Sequence, residues 1–408
     1  SQYGLSLENI VWRRSKMSEY GKNPILFFQE YPVCLIGSTK VSTNRGILDL
    51  CDAHQGDLTE SGPIMAIIPQ GEAKIFTAET SLGYSITGTE THRLQRTDGS
   101  FTPLGNSRNE VIELRPPRFA DDYVTVRWSE LPTTRTTLVV TEAWGRFLGY
   151  YMGDGSFHVE KGAHGAQPSG TLSICCTRRD EDVVKDVHAL IVDLFGLVSE
   201  CRHPSIGSTE VRVARQGLFR PLLELGALER HGFDNRWGRK VCVPEAIWRS
   251  PQAVVREFLR GLYEADGHIW KTACVMLSSK YKAFLHDVQL LLLGFGITSK
   301  LTQWARTHGK GWCLVCRVEE SKKFMDEIGF VSAWKSSRGW VMRSKRGRRA
   351  MPLSFADAVT RVELVGHAPV FDLVLPAPHT FSANGIAVHN SFDESWILPT
   401  GTLKTFHD

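Results

Sequence analysis

Reactive groups stand at two places almost the whole chain apart. The run Cys34-Leu35-Ile36-Gly37-Ser38-Thr39-Lys40-Val41 puts a thiol near one end. The run His379-Thr380-Phe381-Ser382-Ala383-Asn384-Gly385-Ile386-Ala387-Val388-His389-Asn390-Ser391 puts a His-Asn pair and a hydroxyl near the other. Groups so placed act together only if the fold closes its ends against each other. A thiol beside its own upstream peptide bond can attack that carbonyl and exchange an amide for a thioester. The Ser391 hydroxyl can then take the acyl group as an ester, and the Asn390 side-chain amide can attack its own backbone carbonyl to release the downstream segment. Each step is intramolecular, so positioning supplies much of the acceleration. Each oxyanion needs donors and a general acid or base, work suited to His.

Taken singly these blocks have ordinary explanations: a Cys is usually a small buried hydrophobe, a Thr-x-x-His a turn, a His-Asn-Ser a loop. Taken in order, the opening run, Thr89-Glu90-Thr91-His92, Val370-Phe371-Asp372-Leu373 and His379-x-Phe381-x-x-Asn384-Gly385 with His389-Asn390 resemble the blocks of an intein, a protein-splicing element. That resemblance implies Cys34 as first nucleophile, and Thr89 and His92 acting on the upstream scissile amide. It implies Asp372 and His379 assisting the later steps, His389 supporting cyclisation of Asn390, and Ser391 receiving the acyl group. A hedgehog-like autoprocessing domain also makes a thioester without ligating, but needs neither Asn390 nor Ser391.

A repeat lies between these marks. Arg146-Phe147-Leu148-Gly149-Tyr150-Tyr151-Met152-Gly153-Asp154-Gly155 is matched by Phe258-Leu259-Arg260-Gly261-Leu262-Tyr263-Glu264-Ala265-Asp266-Gly267. The stretches downstream of each also correspond, from Asp182 to Leu197 and from Phe284 to Ile297. Such duplication predicts two similar halves about a pseudo-two-fold axis. Gly149 and Gly153, like Gly261 and Ala265, recur at i and i+4, on one helix face, where two helices can approach closely. Their C-terminal ends then bring Asp154 and Asp266 together. Paired carboxylates repel unless a divalent cation lies between them, and hard oxygen ligands suit Mg2+.

These motifs resemble those of LAGLIDADG homing endonucleases. The resemblance implies Mg2+-dependent double-strand DNA cleavage, with Asp154 and Asp266 as metal-binding catalytic acids. Glu264 and Met152 occupy the motif's earlier acidic position, from which Met152 departs. Lys240, in Arg239-Lys240-Val241-Cys242-Val243-Pro244, resembles a basic residue found before the second motif. An alternative is a splicing element whose endonuclease part is a degenerate, DNA-binding appendage.

Charge separates the middle from the frame. Thr141–Ala350 holds 32 Lys+Arg against 22 Asp+Glu, a net of +10, and the rest holds 16 against 22, in a chain whose net is +4. A basic insert suits DNA phosphates. The run Arg343-Ser344-Lys345-Arg346-Gly347-Arg348-Arg349 fits either DNA contact or a solvated linker. Nine Cys at irregular spacing make no disulfide framework. Cys34 must stay reduced to act, which points to the cytoplasm. Cys313 and Cys316 lie in an alternating stretch that reads as a strand, with no second pair to make a zinc site. The apolar run at Leu290–Leu293 is too short for a membrane span, and Ser1-Gln2-Tyr3-Gly4-Leu5 is no signal peptide.

The expected organisation is multidomain. Residues 34–132 and 351–390 form an all-β splicing domain of short strands, by resemblance the horseshoe-like Hint fold. It is interrupted at 133–350 by an α/β LAGLIDADG endonuclease of two pseudo-symmetric halves. Glu142–Tyr151 and Val254–Tyr263 have helical apolar spacing. Residues 1–33 and 391–408 are flanking extein segments. Joined, they read Gln-Glu-Tyr-Pro-Val-Ser-Phe-Asp-Glu-Ser-Trp, which resembles phage large terminase subunits, though no phosphate-binding loop is present. The expected partners are double-stranded DNA of the host gene and the chain's own flanks, for a monomer with no membrane association. Splicing itself should need no cofactor.

Overall fold

Strand pairing carries both ends of the chain into shared sheets. The computed structural model describes residues 33–131, 134–160, 169–177, 180–216, 218–231, 236–239, 241–270, 274–306, 309–344, 355–390, 395–397 and 403–405. One five-stranded sheet runs Leu35–Ile36, Ser85–Thr89, Ala66–Thr80, Ala356–Val374, Val111–Glu113, with Leu35–Ile36 also pairing Ala356–Val374. A six-stranded sheet runs Gly46–Asp49, Lys40–Thr43, Thr380–Ala383, Ile386–His389, Arg93–Gln95, Phe101–Pro103. Both interleave strands from before and after the insert, so the two pieces form one β-rich unit around Leu35, Val41, Leu94, Ile112, Leu373, Phe381 and Val388. Not all its strands are short. Ala66–Thr80 and Ala356–Val374 make a long ribbon paired from Val374↔Ala66 to Val359↔Thr80, with register shifts that let it bend. A hairpin of Thr125–Leu131 and Thr134–Val139 crosses the expected boundary at 132 and 133.

The insert is mixed α/β. Its helices are α1 (Glu142–Asp154), α2 (Glu181–Phe195), α3 (Phe219–Glu224), α4 (Glu245–Trp248), α5 (Gln252–Ala265), α6 (Lys282–Gly294), α7 (Val318–Glu327) and α8 (Ala333–Ser344). The two helices expected from apolar spacing lie within α1 and α5. Each leads straight into a four-stranded antiparallel sheet. The first runs Gly155–Glu160, Ser169–Thr177, Ser208–Gln216, Glu200–Ser205; the second runs Gly267–Ile269, Val275–Ser279, Gly309–Val315, Lys300–Arg306. The order of strands is the same in both, as duplication predicts. After α2 and α6 the chain turns through Gly196 and Gly296, at φ +62 and +66, the left-handed region where glycine lacks a Cβ penalty.

Small residues decide how α1 and α5 meet. A Cβ on Gly149 would stand 2.6 Å from the Leu262 nitrogen, and one on Gly261 3.1 Å from the Tyr150 nitrogen. No side chain separates the two backbones there. Phe147, Leu148, Tyr151, Phe258, Leu259 and Tyr263 are all buried around this contact. The two units are not independent: Leu293, near the end of α6, belongs to the core of the β-rich unit.

Candidate active sites at the chain junctions and between the paired helices

The register Leu35↔Phe371 brings Cys34 beside Asp372. Cys34 is fully buried. Its N–H donates to Thr89 Oγ1 at 3.0 Å, and the Thr89 N–H donates to the Cys34 carbonyl at 2.9 Å. The Thr89 hydroxyl also donates to that carbonyl, at 3.4 Å. The nitrogen side of the Val33–Cys34 peptide bond is thereby clamped. Burial, and then the charge of Asp372, push the Cys34 thiol up to about 12. Asp372, itself buried, is the charged group that acts on the thiol.

His92 is buried, and desolvation drives its ring down to about 4, opposed by the Val33 carbonyl and assisted by His389. The Val33 carbonyl lies near the ring but outside hydrogen-bond geometry, since neither ring nitrogen is bonded among the described residues. The imidazole is neutral at pH 7, with one N–H to give and one lone pair to accept.

Arg93 pairs with His389 across the six-stranded sheet, so His92 comes level with Asn390. His389 Nδ1 donates to the Asn390 carbonyl oxygen. Burial lowers the basicity of His389, the Asn390 carbonyl raises it, and Arg93 and His379 lower it. Its ring stands edge-on to Phe101 at 4.6 Å and tilted to His379 at 5.9 Å, centroid to centroid. His379 is fixed by its own bond from Nδ1 to the Leu375 carbonyl, 2.7 Å, and its backbone carbonyl accepts the Asn390 N–H at 2.9 Å. Asn390 is buried, and its Nδ2 has no partner among the described residues. Its amide is unspent, while the carbonyl of the same residue is polarised by His389. The structure thus gathers Cys34, Thr89, His92, Asp372, His379, His389 and Asn390 at the two junctions. Ser391 and Lys240 lie outside the described residues.

The second centre lies where α1 and α5 end. Gly153 packs on Ala265, which brings Asp154 and Asp266 near each other. Burial, then the Asp154 charge, raise Asp266 to about 6, against Arg239 and Lys335. Burial raises Asp154 as well. Two acids pressed toward neutrality are suited to a divalent cation, which both hard carboxylates can ligate. Among the described residues no group of three or more His, Cys, Asp or Glu makes a metal cage. Two protein ligands would leave the other positions of an octahedral ion to water or phosphate.

Two basic residues escaped the sequence expectation. Arg239 Nη1 donates to the Tyr151, Met152 and Gly153 carbonyls at the end of α1. Lys335 Nζ donates to the carbonyls of Tyr263, Glu264 and Gly267 at the end of α5. Each thus caps the negative end of a motif helix beside its Asp. The repeat does not mark them by spacing, since Arg239 lies 13 residues after Gly226 and Lys335 six after Gly329. Glu264 is an anchor, accepting from the Val331 and Ser332 N–H groups at 2.7 and 3.0 Å and from Ser332 Oγ at 2.7 Å. Met152 at the matching place is buried in the core.

Residues 253–329, the second half of the insert, match the family described as LAGLIDADG-like domain. In that segment the chain is similar to the LAGLIDADG-like family. Among curated relatives, a DNA polymerase of Thermococcus litoralis is 25% identical over 272 residues, 63% of this chain and 15% of the polymerase. A DNA gyrase of Mycobacterium gordonae, in its A-type chain, is 25% identical over 320 residues, 76% of this chain and 52% of the gyrase chain. The chain therefore spans well under two thirds of either. A crystal structure of I-DmoI in complex with DNA and Mn is 20% identical, covers 47% of this chain and 97% of its own, and has a TM-score of 0.36.

Proposed function

We propose that residues 34–390 are an intein that excises itself and joins 1–33 to 391–408, with the nested LAGLIDADG domain cutting double-stranded DNA. The observation that supports splicing is the buried cluster at the junctions. Residues from far apart in the chain meet there, of the types the chemistry needs. The β-rich unit is then the Hint splicing domain. A segment shared by a polymerase and a gyrase, and covering only part of each, is also what an inserted element would leave.

The steps follow from the groups. Asp372 takes the Cys34 proton, and Sγ bonds to the Val33 carbonyl carbon. The bond to the Cys34 nitrogen breaks, that nitrogen takes a proton through His92, and a thioester remains. Ser391 Oγ then displaces the thiol, giving an ester. Asn390 Nδ2 attacks the Asn390 carbonyl carbon while the His389 N–H stabilises the developing oxyanion. The Asn390–Ser391 bond breaks, and the freed amine of Ser391 takes the acyl group from its own oxygen. Neutral His92 and His389 can each move a proton at pH 7.

In the insert, Asp154 and Asp266 would hold Mg2+ or a similar divalent ion, which supplies activation of water and charge neutralisation at the phosphodiester. Arg239 and Lys335 orient the ends of the helices that carry both acids. The basic insert would bind the intein-less host gene, and the halves differ in sequence, so an asymmetric site is expected. We take the flanks as terminase-like exteins and the protein as a cytoplasmic monomer.

Mass spectrometry of the expressed chain tests splicing. The ligated product of 1–33 with 391–408 and free 34–390 are expected. Cys34→Ala should block the thioester, and Asn390→Ala should retain thiol-induced cleavage at Val33–Cys34 but not release 391–408. Cleaved flanks with no ligated product from the wild type would contradict splicing.

A further inference from the structure

Helix α6 is apolar along its last turn because it serves two cores. Leu285, Val288, Leu290, Leu291 and Leu292 belong to the core of the insert, whereas Leu293 belongs to that of the β-rich unit. The contact is specific. A Cβ on Gly385 would stand 2.6 Å from Leu293 Cδ2 and 3.1 Å from Leu290 Cδ1, so both leucines lie directly against the Asn384–Gly385 turn.

That turn joins Thr380–Ala383 to Ile386–His389, the strand that delivers His389 and Asn390. Asn384 ties it down, accepting the Lys40 N–H at 2.7 Å, donating to the Ser85 carbonyl at 3.1 Å, and donating its own N–H to the Lys40 carbonyl at 2.8 Å. Those bonds fix one side of the turn, and α6 backs the other. Gln289, one turn earlier in α6, donates to the Leu82 and Ser299 carbonyls at 3.1 and 2.8 Å, and Leu301 N–H donates to the Leu82 carbonyl at 2.9 Å.

The duplicated half shows that this is not what the helix needs for its own domain. Aligning Gly196 with Gly296 sets Asp193 of α2 opposite Leu293. Asp193 and its neighbour Val192 face solvent, with Val192 52% exposed, while Leu293 is fully buried.

We propose that Leu293, with Leu290, is a positioning residue for the C-terminal splice reaction: the insert holds the Asn384–Gly385 turn, and through it His389 and Asn390, in reacting geometry. The proposal deepens the splicing reading and rests on it. The endonuclease domain would then be part of the framework of the splicing site, not a removable passenger.

The test uses the full chain with both flanks and reads the two junctions separately. Thiol-induced cleavage at Val33–Cys34 reports the thioester, and mass-resolved release of 391–408 reports Asn390 cyclisation. Leu293→Ala should slow the release roughly tenfold while thioester cleavage stays within about twofold, because a small displacement of a reacting group costs rate steeply. Leu293→Met should restore it, and Asp193→Ala in α2 should change neither junction. If Leu293→Ala fails to fold by circular dichroism, Leu293→Val serves with the same expected bias toward the C-terminal junction. Equal slowing at both junctions, or no slowing at either, overturns the proposal. A wild-type chain inert at both junctions would instead refute splicing itself, which sets the two failures apart.

Discussion

At the chain junctions burial favours the neutral forms of Cys34, His92 and His389, whereas between α1 and α5 it presses two acids toward a neutrality that their proposed work does not use. In the proposed reaction the first cluster would pass protons among its own groups. The second is incomplete without positive charge, of which Arg239 and Lys335 supply part. The construction differs too. Antiparallel registers assemble the junctions from residues far apart in sequence, and backbone contact between two glycine-bearing helices sets the carboxylates. The contrast teaches that one chain can hold two clusters of reactive side chains in different electrostatics on different scaffolds.

The largest effect that could break this separation is expected from the acids. Asp154→Asn or Asp266→Asn should lower Mg2+-dependent DNA cutting at least a hundredfold, to order of magnitude, because each removes a ligand charge. DNA binding measured by gel shift should change little, since phosphate contacts come from the basic surface. Both variants should splice as wild type does. Loss of splicing in both, with the fold intact, would show that the two centres are one functional unit. A wild type that binds the joined host site yet never cuts it with Mg2+ or Mn2+ would favour a degenerate nuclease.

Scaffolding comes next in size. Gly149→Ala forces a methyl against the α5 backbone, and overpacking of this kind costs about 1–3 kcal/mol. Its melting temperature should fall, and DNA cutting should fall with it as the carboxylates separate. Gly207→Ala, where nothing stands within 4 Å of the added Cβ, is the matched control and should melt with the wild type.

These scaffolds were unequally legible. Cys34 and Asn390 could be marked from the chemistry their residue types allow, His92 and Asp372 only through the resemblance to intein blocks, and the two Asp-Gly motifs because they occur twice with matching sequels. Helices α1 and α5 followed from apolar spacing. The long ribbon of Ala66–Thr80 with Ala356–Val374 did not, since it joins segments on either side of the insert and pairing at that distance has no local pattern. Arg239 and Lys335 were missed for a related reason. A helix end can be capped by any basic residue the tertiary fold returns to it, and position in sequence says little about which. Leu290–Leu293 shows only that α6 is apolar along its last turn; nothing in four leucines tells which core takes the last.

Opposed pH slopes sharpen the contrast between the centres. His92 has a folded value near 4, below the unfolded 6.5, so the unfolded chain binds the extra proton between these pH values. Its contribution is therefore present above pH 6.5 and lost as pH falls toward 4, on the order of 3 kcal/mol for a fully buried ring. Asp266 is raised from 3.8 to about 6, so its folded state holds the extra proton and stability falls as pH rises through that window. Melting followed from pH 4 to 7 should then show His92→Gln losing a rising component and Asp266→Asn losing a falling one. Slopes of one sign in both variants would contradict the electrostatic contrast.

The smallest effect concerns the polar part of the contact between the two units. Lys282, at the start of α6, pairs with Glu79 at 3.1 Å, with side-chain exposures of 37% and 28%. A partly solvated pair of this kind is worth about 0–1 kcal/mol, because water already stabilises both charges and ordering two long side chains has an entropic cost. Lys282 also lies over the Trp312 ring at 4.9 Å, which keeps its stem packed whether or not the carboxylate is present. Glu79→Gln removes the charge while keeping size and the ring contact, and with it the longer pair to Arg361 at 3.9 Å, which Arg361→Gln measures separately. It should shift the midpoint of urea unfolding by an amount corresponding to less than about 1 kcal/mol, and the shift should vanish in high salt, where the remaining attraction is screened. Release of 391–408 should proceed at the wild-type rate in Glu79→Gln. A larger, salt-independent loss would mean that this ion pair, and not the apolar end of α6, fastens the insert to the β-rich unit.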